Sequence, residues 1–136
     1  MAVFRAFKAF RPAEKYQRLI PALPYDVMSS EEAREAVQGN PLSFLHVDRA
    51  EIDLPPGTSP YEKAVYEKAK ENLLNLEKSG ALVQDGAPCF YIYSQEMNGR
   101  VQTGLAGCAS IDDYMNHVIN NHEKTLAQNA AARCRH

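Results

Sequence analysis

Asn98-Gly99, inside CFYIYSQEMNGRVQTGLAGCAS at residues 89–110, constrains this chain more than any other pair of residues. It sits between two alternating, β-prone runs, and Asn-Gly is the pair favoured at the centre of a two-residue type I′ turn, where both residues take positive φ. Such a turn sets the register as well as the hairpin. Met97 then faces Arg100, Ile92 faces Leu105, Tyr93 faces Gly104 and Phe90 faces Gly107, so two aromatic rings are expected to lie over residues that have no side chain. The stretch is read as the organiser of the sheet core, and it holds no nucleophile, metal cage or phosphate loop.

The rest of the chain reads as short elements separated by proline. Phe4, Phe7 and Phe10 alternate with Arg5, Lys8 and Arg11 at a period near three, which fits an irregular or edge strand better than a helix. Pro12, Pro21 and Pro24 break the backbone, and residues 23–27 read as an extended connector. Ser29 with Glu32 three residues on is a capping box that opens a helix over residues 30–38, closed by Gly39. Ser43-Phe44-Leu45-His46-Val47 has the residue types of a strand, with Phe44 and His46 on one face. A loop follows to Pro60, after which Ser59 as N-cap, Pro60 at N1 and Glu62 at N3 predict a helix to about Lys78, with Tyr61, Val65, Ala69, Leu73 and Leu76 near one face. Residues 81–84 form a short strand before the hairpin, and residues 111–119 a last helix begun by Ser110 or Asp112. The order β, α, β, α, β, β, β, α predicts an α/β (α+β) fold, a mixed sheet with an antiparallel hairpin at about 89–109 flanked by helices.

Length and charge narrow the function classes. The 136 residues, 45% of them hydrophobic, are enough for one domain with a real core. The 15 basic and 17 acidic residues nearly cancel and form no cationic block, so no nucleic-acid partner is expected. No apolar run approaches the roughly 20 residues of a membrane span and the start has no signal-peptide pattern, so the expected location is the cytoplasm, with no membrane partner. Cys89, Cys108 and Cys134 are an odd count without CxxC spacing, so no metal site is assigned, and the first two read as small apolar fillers of the hairpin.

Candidates for chemistry are few. His117, His122 and His136 fall in the last 20 residues with Glu123 beside His122, and the five-residue separation of His117 from His122 keeps them off a common helix face. Solvated surface histidines are the simpler reading. His46 within an apolar run is either a hydrogen-bonded core histidine or a base awaiting a carboxylate neighbour. Asp26, in the proline-locked loop after Tyr25, either presents a carboxylate to a ligand or makes a local turn. Arg5, Lys8 and Arg11 are a modest anion patch or ordinary edge-strand cations.

Taken together, FRAFKAFRP, ALPYDVMSSEEAREAVQGNPLSFLHVDRAEIDLP, YEKAKENLLNLEKSGALVQD, YIYSQEMNGRVQTGLAGCASIDDY and VINNHEKT make the chain resemble, over residues 3–126, the N-terminal part of a bacterial domain-of-unknown-function family often labelled as chromosome-partitioning, ParB-like proteins. The resemblance implies a relation to the ParB and sulfiredoxin superfamily, whose members bind nucleotides and include kinases of free serine. It implies an intact protein that transfers phosphate between a nucleotide, ADP or ATP with Mg²⁺, and serine or a similar small metabolite. Glu123, Asp26 and His46 are then the catalytic candidates, and His122 and Arg11 the cofactor-side ones. The Asp-Gly-His-His-Arg motif of the serine kinases is absent from this chain, which therefore reads as an N-terminal fragment, without turnover and without a tightly held cofactor. Its tail also departs from the family, with Asn120-Asn121 where basic residues are expected. The alternative is a nucleotide-sensing or protein-interaction module without chemistry, and an unpaired sheet edge would let it pair with a second copy.

Overall fold

The computed structural model describes residues 2–119, so His122, Glu123, Cys134 and His136 lie outside the described residues. These residues divide into two compact units, one of residues 2–10 with 84–119 and one of residues 11–83. The elements are β1 (Phe4–Arg5), β2 (Phe10–Pro12), α1 (Ser30–Ala36), α2 (Leu45–Asp48), α3 (Lys63–Lys78), β3 (Leu82–Gln84), β4 (Tyr91–Met97), β5 (Arg100–Ala106), β6 (Cys108–Ala109) and α4 (Ile111–Met115), with 3-10 turns at Glu14–Tyr16 and Ala50–Asp53. The fold is α+β, as expected. Its strands form three two-stranded sheets, β1 with β6, β2 with β3 and β4 with β5.

In the first unit the turn chemistry holds to the letter of the sequence. Asn98 and Gly99 have φ of 53° and 75°, and the register pairs Met97 with Arg100, Ile92 with Leu105 and Tyr93 with Gly104. Both φ values belong to the type I′ turn that Asn-Gly favours. The expected core, however, is not there. Ile92 is 79% exposed and Leu105 60%, and β4 and β5 pair only with each other among the described residues.

The glycine expectation is corrected with it. A Cβ on Gly104 would meet nothing within 4 Å, so no ring rests there, whereas one on Gly107 would lie 2.5 Å from Cζ of Phe4. The ring that needs Gly107 is therefore Phe4, which stacks on Phe90 with centroids 5.4 Å apart. Phe7 continues this cluster against Tyr91, and its backbone exchanges both hydrogen bonds with Cys89. The Tyr91 hydroxyl accepts from the Ala9 N–H and lies 2.6 Å from Asp85 Oδ2. Donation to that carboxylate pushes the Tyr91 pKa above the usual phenol value. Cys89 and Cys108 are exposed thiols at the margins of the hairpin, not apolar fillers.

The second unit is helical and is built on three small apolar clusters. Ile20, Leu76, Ala81 and Leu82 form one, Ala33, Leu45 and Ile52 another, and Ala50, Val65 and Ala69 the third. The capping box is realised: the Ser29 hydroxyl accepts from Glu32 N–H while the Glu32 carboxylate accepts from Ser29 N–H at 2.7 Å. Those two bonds hold the Glu32 carboxyl below its ordinary pKa, so their contribution to stability is present above that ordinary value and is lost as the pH falls through the lowered one.

Three elements differ from the sequence reading, and the simplest difference is that the last helix, α4, ends at Met115 instead of running to residue 119, with His117 at a positive φ of 56°. Residues 43–47 are not a strand: α2 covers Leu45–Asp48, since the N–H groups of Val47 and Asp48 turn back to the Phe44 carbonyl, the Ser43 hydroxyl accepts from Leu45 N–H, and Leu45 is buried. An apolar run this short carries no decisive period, and burial on two helices outweighs its β-propensity. The long helix begins one turn late, at Lys63. Glu62 keeps extended backbone, with ψ of 145°, while its carboxylate accepts from Ser59 N–H, which leaves Tyr61 outside the helix and 69% exposed.

One polar network joins the helical parts. Glu51 is 2% exposed, and its Oε1 accepts from Arg49 Nε at 2.7 Å and from the Ser30 hydroxyl at 2.9 Å. Arg49 also donates to the Ser30 hydroxyl and to the carbonyls of Tyr25 and Met28, while Arg34 donates to the carbonyls of Glu51, Ile52 and Leu54. Glu51→Ala leaves a buried guanidinium without its counter-charge and is expected to cost about 3–5 kcal/mol in chemical denaturation; a loss under about 1 kcal/mol contradicts this reading. In the first unit, Gly107→Ala should cost about 1–3 kcal/mol by displacing Phe4. Gly104→Ala should instead be neutral or stabilise by about 0.5–1 kcal/mol, a contrast that thermal unfolding of the two variants reads directly.

Candidate functional site

The second unit carries an open cavity of about 500 Å³ lined by Pro41, Leu42, His46, Asp53, Lys68, Asn72, Asn75, Leu76 and Ser79. Its polar wall comes from one face of α3, because Lys68, Asn72, Asn75 and Ser79 follow one another at spacings of four, three and four residues. α2 adds His46 and the Ala50–Asp53 turn adds Asp53.

These side chains are held to one another. His46 Nδ1 lies 2.9 Å and 3.1 Å from the two Asp53 carboxylate oxygens, with both side chains about four-fifths buried, at 18% and 23% exposure. Asn72 Nδ2 donates to the His46 carbonyl at 2.6 Å and to Asp53 Oδ2 at 2.7 Å, so one amide pins both the backbone of α2 and the carboxylate that orients the ring. His46 Nε2 lies 3.3 Å from the Asn40 carbonyl. That contact is a hydrogen bond only when Nε2 carries a proton, since the carbonyl can only accept. Lys68, at the rim, reaches Glu71 at 3.1 Å.

His46 thus has the carboxylate neighbour on which its reading depended. Asp26 sits exposed at the third position of the Pro24–Val27 turn, and Arg11 is exposed in β2; neither lines the cavity. His117 ends the turn after α4 with φ of 56° and belongs to the other unit. Asp53, Asn72 and Lys68 were not among the sequence candidates. The signal for the α3 residues was the polar stripe at helical spacing, while Asp53, seven residues from His46 across an irregular turn, had none. Among the described residues no group of three His, Cys, Asp or Glu side chains is gathered to hold a metal ion, and no helix is long and apolar enough to cross a membrane.

The model of one family matches residues 4–136, nearly the whole chain, under the description protein of unknown function (DUF1015). The chain belongs to that family. No curated protein matches this DUF1015 chain, and no solved structure does. Membership therefore brings the His46–Asp53–Asn72 arrangement no assigned chemistry, and its meaning rests on its own geometry.

That geometry makes Asn72→Asp an informative change. The new carboxylate would face Asp53 and the His46 carbonyl where a donor stood, and should destabilise the chain by about 2 kcal/mol or more at neutral pH. The deficit should shrink as the pH falls through the carboxyl range, since a protonated carboxyl can donate again. Parallel unfolding curves across pH check this against the unsubstituted chain.

Proposed function

We propose that this chain supplies the small-metabolite pocket of a cytoplasmic, nucleotide-dependent phosphotransferase, with serine or a similar hydroxylated amino acid as the metabolite. The observation that carries the reading is the cavity over His46, Asp53, Lys68 and Asn72, whose volume suits a ligand of metabolite size. Its lining offers an ammonium at Lys68 for a carboxylate or phosphate, a carboxylate at Asp53 for an amine, and the amide and hydroxyl of Asn75 and Ser79 for further polar atoms. A serine-like ligand carries both charges within that span. The relation to the ParB and sulfiredoxin superfamily that the family resemblance implies, with kinases of free serine among its members, is consistent with the same class.

His46 is a positioning group in this reading. Asp53 fixes its ring and its Nε2 is directed at the Asn40 carbonyl, so it shapes the wall beside the ligand. The nucleotide and its Mg²⁺ enter through the resemblance alone; the described residues gather no cluster that fits the metal, and no phosphoryl-transfer step is derived from them. Asp26 and Arg11 have no part in the pocket. The second reading, an interaction module without chemistry, is favoured by the exposed apolar side chains of β4 and β5.

NMR titration of the chain with L-serine, O-phosphoserine, MgADP and MgATP separates the two. Serine or phosphoserine should shift the resonances of His46, Lys68 and Asn72 with a dissociation constant on the order of 1 mM, as expected for a small ligand in an open pocket. Lys68→Ala should weaken that binding by about tenfold. Silence of these residues toward every amino acid and nucleotide overturns the pocket reading, and a response to nucleotide elsewhere in the chain favours the second.

A further inference from the structure

The hairpin raises a question that the cavity does not answer. An isolated two-stranded ribbon is marginal in water, and three or more strands or a packed face are needed for independent stability. Yet β4 and β5 pair only with each other among the described residues, and Ile92, Val101 and Leu105, on one face of the ribbon, are 79%, 64% and 60% exposed. Among the described residues, two strand edges stand open with them. Such edges are templates for further pairing.

The two edges differ in what a second copy would meet. Pairing β5 with itself in antiparallel fashion about Thr103 overlaps all seven residues: Arg100 falls opposite Ala106′, Val101 opposite Leu105′, Gln102 opposite Gly104′ and Thr103 opposite Thr103′. Val101 and Leu105, the two large apolar residues, meet each other on both sides of the axis, and no charges of like sign face each other. The same operation on β4 about Ser94 sets Tyr91 against Met97′ and Tyr93 against Gln95′, but its one aliphatic residue, Ile92, falls against the Glu96′ carboxylate twice. The β5 edge is self-complementary and the β4 edge is not.

We infer that two copies of this chain associate through β5, forming a four-stranded antiparallel sheet about a two-fold axis at Thr103. In the resulting rows Ile92, Leu105, Val101′ and Glu96′ lie side by side, with Ser94, Thr103, Thr103′ and Ser94′ between this row and its symmetry mate. The Ser94 and Thr103 hydroxyls are already 3.2 Å apart within one hairpin, so the central row becomes a ladder of four hydroxyls. A two-fold contact uses up both β5 edges and closes, which leaves only the Glu96-bearing β4 edges outside. The inference is independent of the cavity reading.

Sedimentation velocity over a concentration series tests it with a charge exchange at the paired positions. The unsubstituted chain should sediment as a reversible dimer. Val101→Lys with Leu105→Lys places lysines opposite one another and should weaken the dimer by about tenfold or more, whereas Val101→Lys with Leu105→Glu sets lysine opposite glutamate and should restore it. Restoration is a result that misfolding of the hairpin cannot give. A monomeric unsubstituted chain, a dimer indifferent to both double variants, or equal loss in both overturns the inference.

Discussion

The Arg49–Glu51 pair is the interaction on which the second unit depends, because it holds a four-residue turn whose side chains enter two of the three apolar clusters and both polar networks. Within Ala50–Asp53, Ala50 enters the cluster with Val65 and Ala69, and Ile52 enters the one with Ala33 and Leu45. Glu51 takes Arg49 and Ser30, and Asp53 takes His46 and Asn72. A buried charge of this kind is weak evidence for added stability, since well-packed apolar residues could do as well. Its consequence here is geometric. The pair, together with the Arg34 bonds to three carbonyls of the same segment, anchors the turn that carries Asp53, whose carboxylate meets the His46 ring.

How much of this was legible in the sequence follows the range of the interactions. Features closed within four residues were readable: the Asn98-Gly99 turn with its register, the Ser29–Glu32 capping box and the apolar face of α3. Features decided by distant partners were not. Residues 43–47 have strand-like composition, and only the burial of Leu45 against Ala33 and Ile52 makes them helical. The ring over Gly107 belongs to Phe4, more than a hundred residues away in sequence, and the register by itself pointed to Phe90. Arg49, Glu51 and Ser30 have nothing in their local pattern that marks them as a buried network.

The candidate site divides along the same line. His46 was visible as an ionisable group within an apolar run, and its carboxylate partner was the missing condition. Asp53 meets that condition through the irregular turn, a connection no periodicity encodes. Asp26, prominent because proline surrounds it, sits exposed in a turn and does not line the cavity over His46. Proline-locked rigidity and placement at this cavity are therefore separate properties in this chain. The hairpin makes the converse point, being the most legible element and the least buried.

The measurement that bears most directly on this account is a double-mutant cycle joining Glu51→Gln and Asp53→Asn, read as unfolding free energies of the single and double variants. If the Ala50–Asp53 turn transmits the buried pair to the cavity, the two losses will fail to add, with a coupling of about 0.5 kcal/mol or more. Additivity within about 0.3 kcal/mol would mean that Asp53 holds His46 without help from Glu51, and would contradict the account.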